Sequence, residues 1–174
     1  MMVERLRPRK RWGQNFLVDH NIARKIVSSA ELSPEDRVLE IGAGKGILTG
    51  KIASQVRKVI AIEIDKKLCS FLREELKNYK NVEIIEGDFL KLDISRFLTS
   101  GDRSSVKVIA NLPYYITSPI IVKLLNMKKW SEATFMLQKE VGERITASPG
   151  GKDYGSLSIL VQYHCNVEKQ FNVS

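Results

Sequence analysis

Cysteine and histidine are nearly absent from this 174-residue sequence, with two of each. Cys69 and Cys165 stand far apart and form no CxxC pair. That argues against a zinc ribbon, a redox dithiol or a disulfide framework, and for two reduced thiols in a cytoplasmic protein. His20 and His164 have no partner at catalytic spacing and read as surface or packing residues. No metal site is expected from such a set. No apolar run approaches the roughly 20 residues that a membrane helix needs, and the basic N-terminus lacks the apolar core of a signal peptide. Acid is the scarcer charge: 20 Asp and Glu against 28 Lys and Arg leave a formal charge of +8. That excess points to an anionic partner, nucleic acid first, although many equally basic proteins bind none. Repeats and low-complexity stretches are missing too. What remains, 43% hydrophobic and 28% charged over a length suited to one domain, is an ordinary globular composition with a substantial core.

The chain opens with Arg5, Arg7, Arg9, Lys10 and Arg11 against a single acid, Glu4. Residues 1–11 therefore read either as a flexible basic arm or as a solvated tail. Trp12-Gly13-Gln14-Asn15-Phe16-Leu17 follows, a polar and aromatic turn that local pattern does not explain. Beyond it strand and helix alternate. Asp19 is placed to cap a helix carrying Ile22, Ala23, Ile26, Val27 and Ala30 at helical spacing. Strands are expected at 37–41, 59–64, 82–86, 106–110, 133–137 and 167–173, with helices from 47 to about 55, 65–77, 120–127, 139–146 and 156–165. The strands are continuous apolar runs, not alternating ones. This predicts a mostly parallel, doubly wound α/β sheet with helices on both faces. Ligands of such sheets bind beyond the carboxyl ends of the strands. The unusual residues lie there: Gly42 to Gly46, Glu63, Asp88, and Asn111 to Tyr114.

Gly42-Ala43-Gly44-Lys45-Gly46 lets backbone approach a ligand closely at a helix start. It is not the dinucleotide GxGxxG, because Ile47 stands where the third glycine belongs, and not a P-loop, because Gly46 follows Lys45. Glu63, 21 residues past Gly42, would alone be a generic strand-end acid; paired with the glycine turn, it is placed to accept ribose hydroxyls. Asp88 is placed to accept from an adenine amine, or else to cap a helix. These groups fit an adenosine-bearing ligand without pyrophosphate. S-adenosylmethionine is the natural candidate, its sulfonium tolerated by carbonyls and by Gln14 and Asn15 in the stretch ending at Leu17. Asn111-Leu112-Pro113-Tyr114 then supplies the acceptor side. The Asn111 side-chain oxygen and the Leu112 carbonyl can take both N–H bonds of an adenine amine. Pro113 stiffens the backbone, and Tyr114 offers a stacking face. Tyr115 reads as a packing residue, or else as a second contact to the base. Gln138-Lys139-Glu140 with Glu143 and Arg144 reads either as a charged helix start or as part of the rim, where Lys139 or Arg144 would contact a phosphate.

Gly13-Gln14-Asn15-Phe16-Leu17, Glu40 to Gly46, Glu63, Gly87-Asp88-Phe89, Asn111-Leu112-Pro113-Tyr114 and Gln138-Lys139-Glu140-Val141 stand in the order and spacing of a known family. From about Arg11 onward the chain resembles the KsgA-type ribosomal RNA adenine dimethyltransferases. The resemblance implies a Rossmann-like methyltransferase fold and methylation, from S-adenosylmethionine, of N6 on two adjacent adenosines. These lie in a hairpin loop near the 3′ end of small-subunit rRNA, within an immature subunit on which a monomer acts. It places donor binding on Asn15, Leu17, Gly42, Glu63, Asp88 and Asn111, and catalytic positioning on Asn111, Leu112 and Tyr114. Related branches act on large-subunit rRNA in macrolide resistance or serve mitochondrial transcription. Gly13-Gln14-Asn15 and Asn111 to Thr117 look more like the housekeeping form. A non-catalytic assembly factor, or a methyltransferase of DNA or a small molecule, are the other readings. Family members continue into a seventh strand and a small helical RNA-binding domain. Residues 12–174 are accordingly expected to be the catalytic domain alone, with donor binding retained and methylation impaired.

Overall fold

Five of the six expected strands form in the computed structural model, which describes residues 16–98, 106–127 and 129–173. They are β1 (Arg37–Ile41), β2 (Lys58–Glu63), β3 (Val82–Glu86), β4 (Val106–Asn111) and β5 (Glu132–Met136), every pairing is parallel, and their order is β3-β2-β1-β4-β5. Among the described residues seven helices connect or flank them: α1 (His20–Ser29), α2 (Ile47–Ala53), α3 (Lys66–Glu75), α4 (Ser95–Leu98), α5 (Thr117–Met127), α6 (Lys139–Ile145) and α7 (Ser156–His164). This is the expected doubly wound fold. The strand order reverses between β1 and β4, and there the crevice opens. Among the described residues no helix is long and apolar enough to cross a membrane.

The central strand β1 is buried along its whole length, which is why its apolar run shows no alternation. Its side chains still alternate between faces. Val38 packs with Ala23, Ile26 and Val27 of α1 and Ile52 of α2, whereas Leu39 and Ile41 pack with Ile120 and Leu124 of α5. By the same parity Glu40 on β1, Glu63 on β2 and Asn111 on β4 share the face that carries Val38, Val59, Ala61 and Ile109. Three polar side chains are thus delivered to one side of the sheet.

Two expectations change. The run 167–173 forms no strand. Its apolar side chains go to helix faces instead: Val167 joins the cluster of α5, α6 and α7, and Phe171 packs against the α1 core beneath Lys25. With its side chains drawn to helices, the backbone takes no place in the ladder. The helix expected from Ile120 begins at Thr117 and carries Pro119 in its first turn, where the missing N–H would have had no intrahelical partner. The basic arm 1–11, Gln14, Asn15 and the polar loop 99–105 lie outside the described residues.

Candidate active site

The glycine turn after β1 is folded by its neighbour strand. Gly42 and Ala43 donate to the Ile62 carbonyl of β2 at 2.9 and 3.2 Å. Gly42, Gly44 and Gly46 all adopt positive φ, which L side chains rarely tolerate. Glu63 closes the turn from the end of β2. Its Oε2 accepts the Gly44 N–H at 2.8 Å, and its Oε1 accepts the Asp65 N–H at 2.9 Å. Burial raises the Glu63 carboxyl above its ordinary range, the Asp65, Gly44 and Ile64 N–H groups oppose that rise, and the Asp65 charge adds to it. A carboxylate has about four acceptor positions, so two backbone bonds leave room for ribose hydroxyls.

Glu40, read from sequence only as part of the turn motif, is the least expected member. It is 1% exposed, and neither its Oε2 nor the Thr49 hydroxyl on α2 has a hydrogen-bond partner. Burial pushes its carboxyl from 4.5 up to about 8; the nearby Thr49 hydroxyl offsets part of this without closing a hydrogen bond, and the charge of Glu63 adds to it. The folded state therefore keeps a proton that the unfolded chain gives up near 4.5. Stability is full below that value and declines as pH rises through 8, by up to about 1.4 kcal/mol per pH unit. Glu40→Gln should remove this slope whatever its effect on absolute stability. Denaturant titrations between pH 5 and 9 should show the variant gaining on the parent as pH rises. A difference independent of pH would contradict the protonated carboxyl.

Beyond β3, Asp88 accepts the Leu90 N–H at 2.9 Å through Oδ1, while Oδ2 lies 4.0 Å from Lys91 Nζ. Asp88 thus closes a turn over 89–91 and caps no helix, since the next one, α4, begins only at Ser95; it also lines the cavity described below. Beyond β4, the Leu112 N–H donates to the Met136 carbonyl at 2.9 Å, and the Leu112 side chain is buried beside α5. Leu112 is therefore anchored by both side chain and backbone. Pro113 has φ −63, and its carbonyl accepts the Ile116 N–H at 3.2 Å and the Thr117 hydroxyl at 3.0 Å. Tyr114 opens the short 3-10 turn 114–116; its ring lies outside the described side chains. Tyr115 corrects its expected packing role. It is 44% exposed and stands at the cavity, because the 3-10 turn carries it out of the core.

A single cavity of about 320 Å³ joins these parts. Leu17, Gly42, Gly44, Glu63 and Asp88 line its donor half, and Asn111, Leu112 and Pro113 line the other. Gly42 sits between them: a Cβ built on it would lie 4.0 Å from the Asn111 carbonyl oxygen. Phe16 covers the turn, with Lys45 Nζ 5.2 Å from its ring centroid. Gln138 reaches the wall, while Lys139 is exposed and pairs with Glu143 at 3.7 Å. Arg144, His20 and His164 are exposed as well. Among the described residues no group of three or more His, Cys, Asp and Glu side chains is arranged to hold a metal ion. From sequence Glu40 and Thr117 stand only inside longer motifs, with no role of their own, and Lys123 is not singled out at all. An acid inside an apolar strand and a threonine four residues after a turn proline were the available signals.

The family model for ribosomal RNA adenine dimethylase matches residues 5–173. The chain belongs to this family. As a dimethylase-family chain it is 49% identical over 169 residues to the "Ribosomal RNA small subunit methyltransferase A" of Caldanaerobacter subterraneus subsp. tengcongensis, covering 97% of this chain and 63% of that protein. It therefore spans under two thirds of that relative's length. Among solved structures, the family fold is shared with a dimethyladenosine transferase from Plasmodium falciparum, at TM-score 0.73 and 36% identity over 85% of this chain and 52% of that one. The 23S rRNA methyltransferase ErmE is similar at TM-score 0.68 and 34% identity, over 78% and 53% of the two chains.

Proposed function

We propose that this chain carries the donor site and catalytic turn of an S-adenosylmethionine-dependent RNA methyltransferase. In this reading it dimethylates N6 of two adjacent adenosines in the 3′-terminal hairpin loop of small-subunit rRNA. The observation that carries the proposal is the single cavity in which Glu63 and Asp88 face Asn111, Leu112 and Pro113 across Gly42. These residues suit the donor. Small residues line the turn, acids stand where a ribose and an amine need acceptors, and a buried carboxyl oxygen of Glu40 awaits a polar partner at the cavity wall. Bound S-adenosylmethionine supplies a methyl group made electrophilic by its sulfonium.

The protein's part is positioning. The amine of adenine is a poor nucleophile because its lone pair is delocalised into the ring. The Asn111 side-chain oxygen and the Leu112 carbonyl accept its two N–H bonds and favour a pyramidal nitrogen with the lone pair exposed. No general base is needed before attack, since the proton leaves afterwards. Catalysis then rests on orientation and fixed dipoles. The double hold on the Pro113 carbonyl keeps the Leu112 carbonyl in place. Tyr114 stacks on the target base for about 1–3 kcal/mol. Asn15 and Gln14 complete the donor side, and the basic arm with Lys139 or Arg144 meets phosphate. The protein acts as a monomer on an immature small subunit in the cytoplasm.

The test incubates the full-length protein with labelled S-adenosylmethionine and small subunits lacking the modification, then maps the label. Dimethyladenosine at two adjacent positions near the 3′ end is the expected product. Transfer to large-subunit RNA instead would overturn the substrate assignment. Binding to small subunits with no label incorporated would favour an assembly factor.

A further inference from the structure

The loop after β3, which carries Asp88, is held by a side chain from the opposite half of the site. Lys123 on α5 donates from Nζ to the carbonyls of Phe89 at 2.6 Å, Leu90 at 3.1 Å and Leu92 at 2.6 Å. Three carbonyls use all three donors of an ammonium group. The same nitrogen lies 5.1 Å from the centroid of the Phe89 ring. Burial lowers the Lys123 pKa, and the nearby charges of Asp88 and Asp93 oppose that, so the cation is held by dipoles, a ring face and two acids.

The contacts form a chain of positions. Leu90 is gripped at both ends of its backbone: Asp88 Oδ1 accepts its N–H and Lys123 Nζ donates to its carbonyl. The carboxylate of Asp88 is therefore oriented by a peptide that Lys123 fixes. Six residues earlier on α5, the Thr117 hydroxyl pins the Pro113 carbonyl of the catalytic turn. One helix thus holds the loop that faces the donor's base and the turn that faces the acceptor amine.

We propose that Lys123 is a positioning residue for recognition of the donor's adenine ring, acting through the Leu90 peptide and Asp88. This rests on the reading of Asp88 as the acceptor of the adenine amine. A side chain that merely stabilises the loop would affect all donor analogues alike. One that orients Asp88 sets the preference for a 6-amino over a 6-oxo purine.

The experiment titrates the chain calorimetrically with S-adenosylhomocysteine and with its deaminated analogue, S-inosylhomocysteine. The parent should prefer the amino form by at least about tenfold, since a site built to accept an N–H rejects a ligand lacking it. Lys123→Met keeps the aliphatic stem and removes the donors. It should weaken the amino form by about tenfold and shrink the preference to about twofold or less. Lys123→Arg should recover most of the preference. Should the methionine variant not fold, Lys123→Gln, with two donors and no charge, takes its place and should show an intermediate preference. Equal weakening of both ligands, or an unchanged preference, overturns the role of Lys123. A parent that binds both ligands equally overturns the Asp88 reading itself, and the inference with it. A parent that binds neither overturns the donor site.

Discussion

Asn111→Ala should reduce methyl transfer by a hundredfold or more while the protein stays folded. The reason lies in what alanine removes and what it leaves. Asn111 is the last residue of β4, in register with Met136 of β5, and the next N–H, from Leu112, continues the ladder. That backbone pairing survives the substitution. The side chain is half-buried at the cavity wall beside the glycine turn and adds little to the core. On the proposed mechanism the substitution removes one of two acceptors for the target amine, and loss of one well-placed polar group in a catalytic site costs about 10²–10³ in rate. Single-turnover assays of the full-length protein on unmodified small subunits would measure it, with thermal unfolding alongside. Asn111→Asp keeps an acceptor oxygen there and should regain part of the rate. A near-normal rate in the alanine variant would remove Asn111 from the mechanism.

Much of this site is legible in the sequence because its parts are local and sit at strand ends. A glycine turn, an acid 21 residues later, an Asp after the third strand and an Asn-Leu-Pro-Tyr turn after the fourth each announce themselves within a few residues. A parallel sheet then brings its carboxyl ends together without further instruction. What stayed hidden depends on contacts between distant segments. Lys123 meets Phe89 across 34 residues, and nothing near Lys123 marks it apart from any other helical lysine. The state of Glu40 follows from its burial at the cavity wall beside Thr49 of α2 and near the charge of Glu63, which composition does not show. Val167 and Phe171 have the spacing of strand residues, but the same spacing serves an irregular segment packed on helices. Periodicity reports which residues are buried; it does not report whether a sheet or a helix buries them.

Glu63 yields the second large effect, on donor binding, and it separates two accounts of the residue. If Glu63 only accepted ribose hydroxyls, its amide analogue would retain much of the affinity, since an amide also accepts and donates. Here each carboxylate oxygen already accepts a backbone N–H, from Gly44 and from Asp65. Glutamine has one acceptor oxygen; its NH₂ group would face one of those N–H donors. The glycine turn or the start of α3 must then lose its bond. Glu63→Ala is expected to weaken S-adenosylmethionine binding by about a hundredfold, roughly 3 kcal/mol, through loss of the ribose acceptor and loosening of Gly44. Glu63→Gln should be nearly as weak, unlike a conservative change at an exposed ribose contact. Folding stability should fall less than affinity, because burying this carboxyl already opposes folding, as its raised pKa records. Calorimetric titration of both variants decides the matter. Parent-like affinity in the alanine variant would dismiss Glu63 from the donor site. Parent-like affinity in the glutamine variant alone would leave it a ribose acceptor and deny it the turn.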